Sequence, residues 1–230
     1  MNPRLFVFGD SHTNPILQGF RALGPGISVR GGRLPLMGLY WPACFHTGAD
    51  PLRFVGSDTQ AEFQRYAASA GFDGGNVLDV GLPMVTSLSG MTPTANFFSW
   101  YEYHPVPGGA RYFMSSQLLA VQLDHYYTHI LDFYRRLAEA GKTVLFVVPP
   151  ALRSNELHES ELFHEVRHHI TTAVGAVGVQ IVDVTETTCD PSGMLRRQYW
   201  SDVDGDIFHA NAEWGREVAG QCCRLLGLQV

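Results

Sequence analysis

The sequence predicts a three-layer α/β/α sandwich built on a mainly parallel central sheet, and two observations carry that prediction. Short apolar runs at Leu5–Phe8, Ile27–Arg30, Asn76–Val80, Val144–Val148 and Val179–Val184 read as strands, and longer helical patterns at 15–22, 59–70, 116–140, 157–174 and 212–226 alternate with them. Such alternation is what a parallel sheet covered by helices on both faces requires. A chain of 230 residues is also the size of one compact domain, so residues 1–230 are expected to share one core.

The first strand ends at Gly9 and is followed by two small polar residues; Asn14 is placed to cap the next helix and Pro15 to occupy its first position. The third helix is the longest and stops at Gly141, a residue suited to helix ends. From Leu82 to Arg111 the pattern is different. Four prolines are mixed with Phe97, Phe98, Trp100, Tyr101 and Tyr103 and no period emerges, so an irregular aromatic-rich insertion is expected at about 82–114. Its rings either complete the core or line a binding surface. No internal repeat or low-complexity linker interrupts the chain.

Composition excludes several classes of function. Hydrophobic residues make up 45% and charged residues 17%, as in ordinary globular proteins. A formal net charge of −6 with no basic cluster argues against binding nucleic acid, whose polyanionic backbone demands a basic face. The four cysteines, Cys44, Cys189, Cys222 and Cys223, show no CxxC spacing and read as reduced thiols or small core residues. No apolar run is long enough to span a membrane, and the first strand leaves no room for a leader, so a cytoplasmic location is expected.

The run Leu5-Phe-Val-Phe-Gly-Asp-Ser-His-Thr-Asn14-Pro15 places Ser11 at the carboxyl end of a strand and just before a helix N-terminus. Open α/β sheets put their sites there, and the helix start favours a developing oxyanion. A serine hydroxyl needs a histidine to take its proton and a group to orient that histidine. Asp204-Gly-Asp206-Ile-Phe-His209-Ala-Asn211 supplies both before the last helix, with Asp206 three residues ahead of His209. The alternative is a polar turn at Asp10-Ser11 and a surface histidine at 209.

With Gly9-Asp10-Ser11 at one end and Asp206-Ile207-Phe208-His209 at the other, the sequence resembles the SGNH/GDSL hydrolase superfamily. The resemblance implies a flavodoxin-like sandwich, Ser11 as nucleophile, His209 as general base and acid, and Asp206 as the partner of His209. It makes the Ser11 N–H one oxyanion donor and Gly31 or Gly32, after strand two, another. The family's third block, Gly-x-Asn-Asp after strand three, corresponds here to Gly81-Leu82-Pro83-Met84, which puts a proline without a donor at the asparagine position. Either the hole then has two donors, or Asn96 or another side chain from the insertion takes the third place. Asp10 and His12, flanking Ser11, are expected to line the substrate site, with His12 next in line as base.

Two other motifs compete. His164-Glu165-Val166-Arg167-His168 matches the HExxH zinc pattern. At about 100° per residue, however, the two histidines fall on the side opposite Leu162, Val166, Ile170 and Ala173, so the pair is expected to face solvent and no metal is expected. Gly141-Lys142-Thr143 lacks the upstream glycine of a phosphate loop and precedes a strand, so it is a helix–strand turn. Neither a Gly-x-Ser-x-Gly elbow nor a Gly-x-Gly-x-x-Gly fingerprint is present, and no cofactor is expected. The expected activity is hydrolysis of a small carboxylic ester through an acyl-enzyme on Ser11. The alternatives are acyl transfer from an ester or thioester donor to an alcohol or amine at the same site, and a binding module without catalysis. The expected partner is a small-molecule ester or acyl donor.

Overall fold

A computed structural model describes residues 4–35, 51–89, 101–102, 112–113, 115–152, 157–203, 206 and 208–229. In chain order the elements are β1 (Arg4–Gly9), α1 (Thr13–Ala22), β2 (Ser28–Arg33), α2 (Ser57–Ser69), β3 (Met84–Thr86), β4 (Tyr101–Glu102), β5 (Tyr112–Phe113), α3 (Ser116–Glu139), β6 (Val144–Val147), α4 (Leu157–Ala176), β7 (Gln180–Val182), α5 (Thr185–Thr188) and α6 (Ala212–Leu225). Five strands form one all-parallel sheet in the order β2-β1-β3-β6-β7, and β4 pairs with β5 apart from it. The chain reverses its direction of winding between β1 and β3, and ligands in such sheets sit outside the carboxyl ends of the strands at that point.

The apolar runs explain the layers. In β1, Leu5, Phe6, Val7 and Phe8 are all at most 1% exposed, because both faces of a parallel sheet are covered. Successive side chains point to opposite faces. Phe6 and Phe8 therefore join one core with Phe63 of α2, Tyr134 of α3 and Val166 of α4. Leu5 and Val7 join a second core with Ile16 and Phe20 of α1 and Trp214 and Val218 of α6. The residues of β6 divide in the same way, Phe146 to the first core and Leu145 and Val147 to the second.

Two glycines let α1 and α6 cross backbone to backbone. A Cβ on Gly215 would lie 1.8 Å from the Pro15 carbonyl oxygen, and one on Gly19 would lie 2.1 Å from the Gly215 carbonyl group. That contact joins the first helix of the chain to the last.

Three expectations are corrected. Residues 76–80 form a 3₁₀ turn (Val77–Asp79) and not a strand, and the third strand is Met84–Thr86. The Asn76 side chain accepts from Leu78 N, and Asp79 N and Val80 N donate to the Asn76 and Val77 carbonyls, which satisfies locally the donors that a strand would offer to a ladder. Strand β2 runs on to Arg33, since Gly31 continues the pairing at φ 113°, where a Cβ would strike the Val7 oxygen at 1.9 Å. Helix α1 starts at Thr13, with His12 and not Asn14 at its cap, because the Asp10 side chain and carbonyl take the His12 and Thr13 N–H groups.

Within the insertion at 82–114, Asn96, Phe97, Phe98, Trp100 and Tyr103 lie outside the described residues. Cys44 does so too, whereas Cys189, Cys222 and Cys223 are buried and free. No helix among the described residues is long and apolar enough to cross a membrane. In α4 the core side is Leu162, Phe163, Val166, Ile170 and Val174, while Glu165 and His168 are exposed and His164 is half-buried. Arg167 of the same motif turns inward, donating to the Pro149 carbonyl and to Thr185 Oγ1. Among the described residues no cluster of three His, Cys, Asp or Glu side chains is arranged to hold a metal ion.

Candidate active site

The turn after β1 is held by a buried polar network. Asp10 Oδ1 accepts from His12 N at 3.0 Å and from Ser87 Oγ at 2.9 Å, and Oδ2 accepts from Ser89 Oγ at 3.5 Å. Thr13 Oγ1 meets Ser87 Oγ at 3.0 Å, and Thr13 N donates to the Asp10 carbonyl at 3.1 Å. Thr13, Ser87 and Ser89 are buried, and Tyr134 steadies their loop by donating its hydroxyl to the Leu88 carbonyl. Asp10 thus spends its carboxylate on the protein; it anchors the turn, whereas the sequence reading had it lining the substrate site. Buried polar groups are expected to be satisfied in this way, since a missing partner is costly.

The other half of the site is a loop closed on itself. Trp200 and Ala210 form an antiparallel bridge, Ser201 N donates to the His209 carbonyl, and Asn211 caps α6 by accepting from Glu213 N and Trp214 N. Inside this loop Asp206 Oδ1 accepts from the backbone N–H groups of Phe208 and His209, both at 3.1 Å. Both Asp206 oxygens lie 3.0 Å from His209 Nδ1. Burial pushes the Asp206 carboxyl up, but its hydrogen bonds with the His209 ring and Phe208 N–H outweigh that and hold it below the usual carboxylate range. A carboxylate at Nδ1 keeps the proton on that nitrogen, so Nε2 is left as an acceptor.

His209 Nε2 lies 2.7 Å from Ser11 Oγ, across 198 residues of sequence. Ser11, His209 and Asp206 are therefore in one hydrogen-bonded line. His209 is 39% exposed and Asp206 17%, so the line opens to solvent at its histidine end. His12 is 8% exposed and lies against the His209 ring.

Gly31 and Gly32 have structural reasons of their own. They pair with Val7 and Phe8 inside the sheet, two and one residues before the end of β2, and the close approach of β1 and the Tyr66 ring accounts for the absence of side chains there. Pro83 is not at the third-block position either. It precedes β3, where its carbonyl accepts from Phe6 N, and the segment leaving β3 at the site is Ser87-Leu88-Ser89. Asn96 lies outside the described residues. Ser87 and Ser89 were missed because the strand before them was missed; the apolar pair Met84-Val85 ahead of a Thr-Ser run was the available signal.

The fold is the one found in GDSL-type hydrolases. The chain superposes on a GDSL-like lipase from Bacteroides thetaiotaomicron with a TM-score of 0.54 at 13% identity, over 98% of this chain and 88% of that one. It superposes on a lipolytic protein of the G-D-S-L family from Desulfitobacterium hafniense with a TM-score of 0.52 at 9% identity, over 97% and 99%. A third similar structure is an acetylxylan esterase from Geobacillus stearothermophilus, with a TM-score of 0.50 at 10% identity, over 99% and 95%. No family model matches the sequence, and no curated protein matches it.

Proposed function

We propose that the chain is a serine-dependent esterase that hydrolyses a small carboxylic ester, such as an acetyl group on a sugar or another alcohol, through an acyl-enzyme on Ser11. The observation that carries this reading is the 2.7 Å contact from Ser11 Oγ to His209 Nε2, continued from Nδ1 to Asp206 at 3.0 Å. The acetylxylan esterase and lipase activities of the proteins that share the fold agree with it.

The chemistry follows from the roles those atoms can take. Ser11 Oγ attacks the ester carbonyl while its proton passes to His209 Nε2. Negative charge gathers on the carbonyl oxygen, where the Ser11 N–H and the start of α1 favour it. Asp206 steadies the imidazolium. The alkoxide leaves with the proton from His209, and a water then gives a proton to Nε2 and its oxygen to the acyl carbon. The tetrahedral adduct collapses to release the acid, and the proton returns to Ser11. If an alcohol or amine replaces that water, the same acyl-enzyme gives acyl transfer.

The test compares wild type with Ser11→Ala on p-nitrophenyl acetate and, separately, on acetyl-CoA with candidate alcohols. Wild type is expected to release nitrophenol and to carry a trapped acyl group on Ser11 in acid-quenched samples. Ser11→Ala should lose about 10³-fold or more in kcat. Equal rates for the two proteins overturn every serine mechanism, and product formed only when an acceptor is supplied moves the assignment from hydrolysis to transfer.

A further inference from the structure

The mechanism above leaves His12 without a part, although it touches the base. Its ring centroid is 5.0 Å from that of His209, at an interplanar angle of 43°, and 6.3 Å from that of Trp214 on α6. The residue stands at the start of α1 but makes no capping bond with its side chain, so the helix does not need the imidazole. It is 8% exposed, and its Nδ1 is enclosed with no hydrogen-bond partner. On that side the imidazole meets its neighbours as a packed ring and not as a hydrogen-bonded group.

We infer that His12 is a positioning residue for His209: backed by Trp214, its imidazole is a neutral platform that holds the base's ring on the line from Asp206 to Ser11 and keeps water from one face of it. The inference rests on the assignment of Ser11, His209 and Asp206 made above.

The surroundings of His12 explain why an imidazole can do this without interfering. Three titratable groups face it: Asp10 from its own turn, and Asp206 and His209 from the loop before α6. Trp214, packed from α6, brings no charge. Burial is the largest influence and lowers the pKa of His12; Asp10 and Asp206 oppose it, His209 adds to it, and the net position is below the ordinary value. His12 therefore stays neutral when His209 takes the proton of Ser11. A cation in the same place would oppose formation of the imidazolium, and a small aliphatic residue would leave the ring free to tilt.

The experiment measures kcat and KM for His12→Ala and His12→Phe on p-nitrophenyl acetate, each in the wild-type and His209→Ala backgrounds, with thermal midpoints recorded alongside. His12→Ala should lower kcat about 10- to 100-fold with KM little changed, as expected for a misplaced catalytic group. His12→Phe should restore most of the lost kcat. In the His209→Ala background the loss should vanish, since the ring through which His12 acts is gone.

A wild-type kcat in His12→Ala, or the same proportional loss in both backgrounds, overturns the inference. If the alanine variant does not fold, His12→Gln, which fills the space without a ring, carries the same expectations. Loss of activity in Ser11→Ala with none in His12→Ala sinks this inference alone, whereas full activity in Ser11→Ala sinks the serine reading itself.

Discussion

The turn that carries Ser11 and the loop that carries His209 meet at 2.7 Å but are built in opposite ways. Around Ser11 the backbone is fixed from outside its own segment: Asp10 is bonded to Ser87 and Ser89 from the segment that leaves β3, and Thr13 to Ser87. Around His209 the fixing is local. Asp206 binds two N–H groups and the ring of a residue three positions on, while Phe208 and Val203 beside it are 39% and 64% exposed. One half is a rigid part of the sheet and the other is a self-closed loop. A serine and a histidine far apart in sequence can thus be brought together from a core-supported segment and a surface-supported one, provided something else sets the distance between them. Here that is the crossing of α1 and α6 at Gly19 and Gly215.

The largest expected effect comes from attacking the local half. Asp206→Asn leaves an amide oxygen for the Phe208 and His209 N–H groups but removes the carboxylate from Nδ1, so kcat should fall about 10³- to 10⁴-fold with the thermal midpoint nearly unchanged. A kcat close to that of wild type would mean that the carboxylate does not act through His209. Attacking the joint comes next. In Gly215→Ala the new methyl group would sit 1.8 Å from the Pro15 oxygen, so the helices must part. A loss of about 1–3 kcal/mol in denaturant unfolding, the usual cost of overpacking, should be accompanied by a fall in kcat as Ser11 and His209 separate.

The core-supported half should answer with stability first. Ser87→Ala removes a buried donor from Asp10 and should cost about 1–3 kcal/mol, with kcat falling less than tenfold, measured by chemical denaturation and ester hydrolysis on the same sample. A silent Ser87→Ala would erase the contrast between the two halves.

The smallest effect concerns pH. Burial holds the folded pKa of His12 below its unfolded value, so as the pH falls through about 6.5 the unfolded chain takes up a proton that the folded chain refuses. Stability contributed at neutral pH is thereby lost on acidification. His12→Phe should flatten this part of the stability profile, and an unchanged slope would show that His12 takes its proton equally well in both states.

Much of the layer architecture was legible in the sequence because burial on both faces of a parallel sheet leaves uninterrupted apolar runs. Leu5–Phe8 and Val144–Val148 are legible as strands for that reason, and the bounds expected for the five long helices agree with the structure to within about two residues at each end. The third strand was not legible. Only three residues long, Met84–Thr86 is a strand because β1 and β6 flank it, whereas the more apolar-looking 76–80 is turned by the side chain of Asn76. From that misreading came the placement of Pro83 at the site and the omission of Ser87 and Ser89.

The sequence alone marks the groups suited to such chemistry, since a serine hydroxyl after a strand, and an aspartate three places before a histidine, are local patterns that need no partner to be recognised. Whether they meet was decided only by the tertiary structure. The meeting depends on two helices from opposite ends of the chain touching at glycines 196 positions apart, and on strand neighbours that supply Asp10 with its partners, because contacts between distant segments leave no periodicity along the chain.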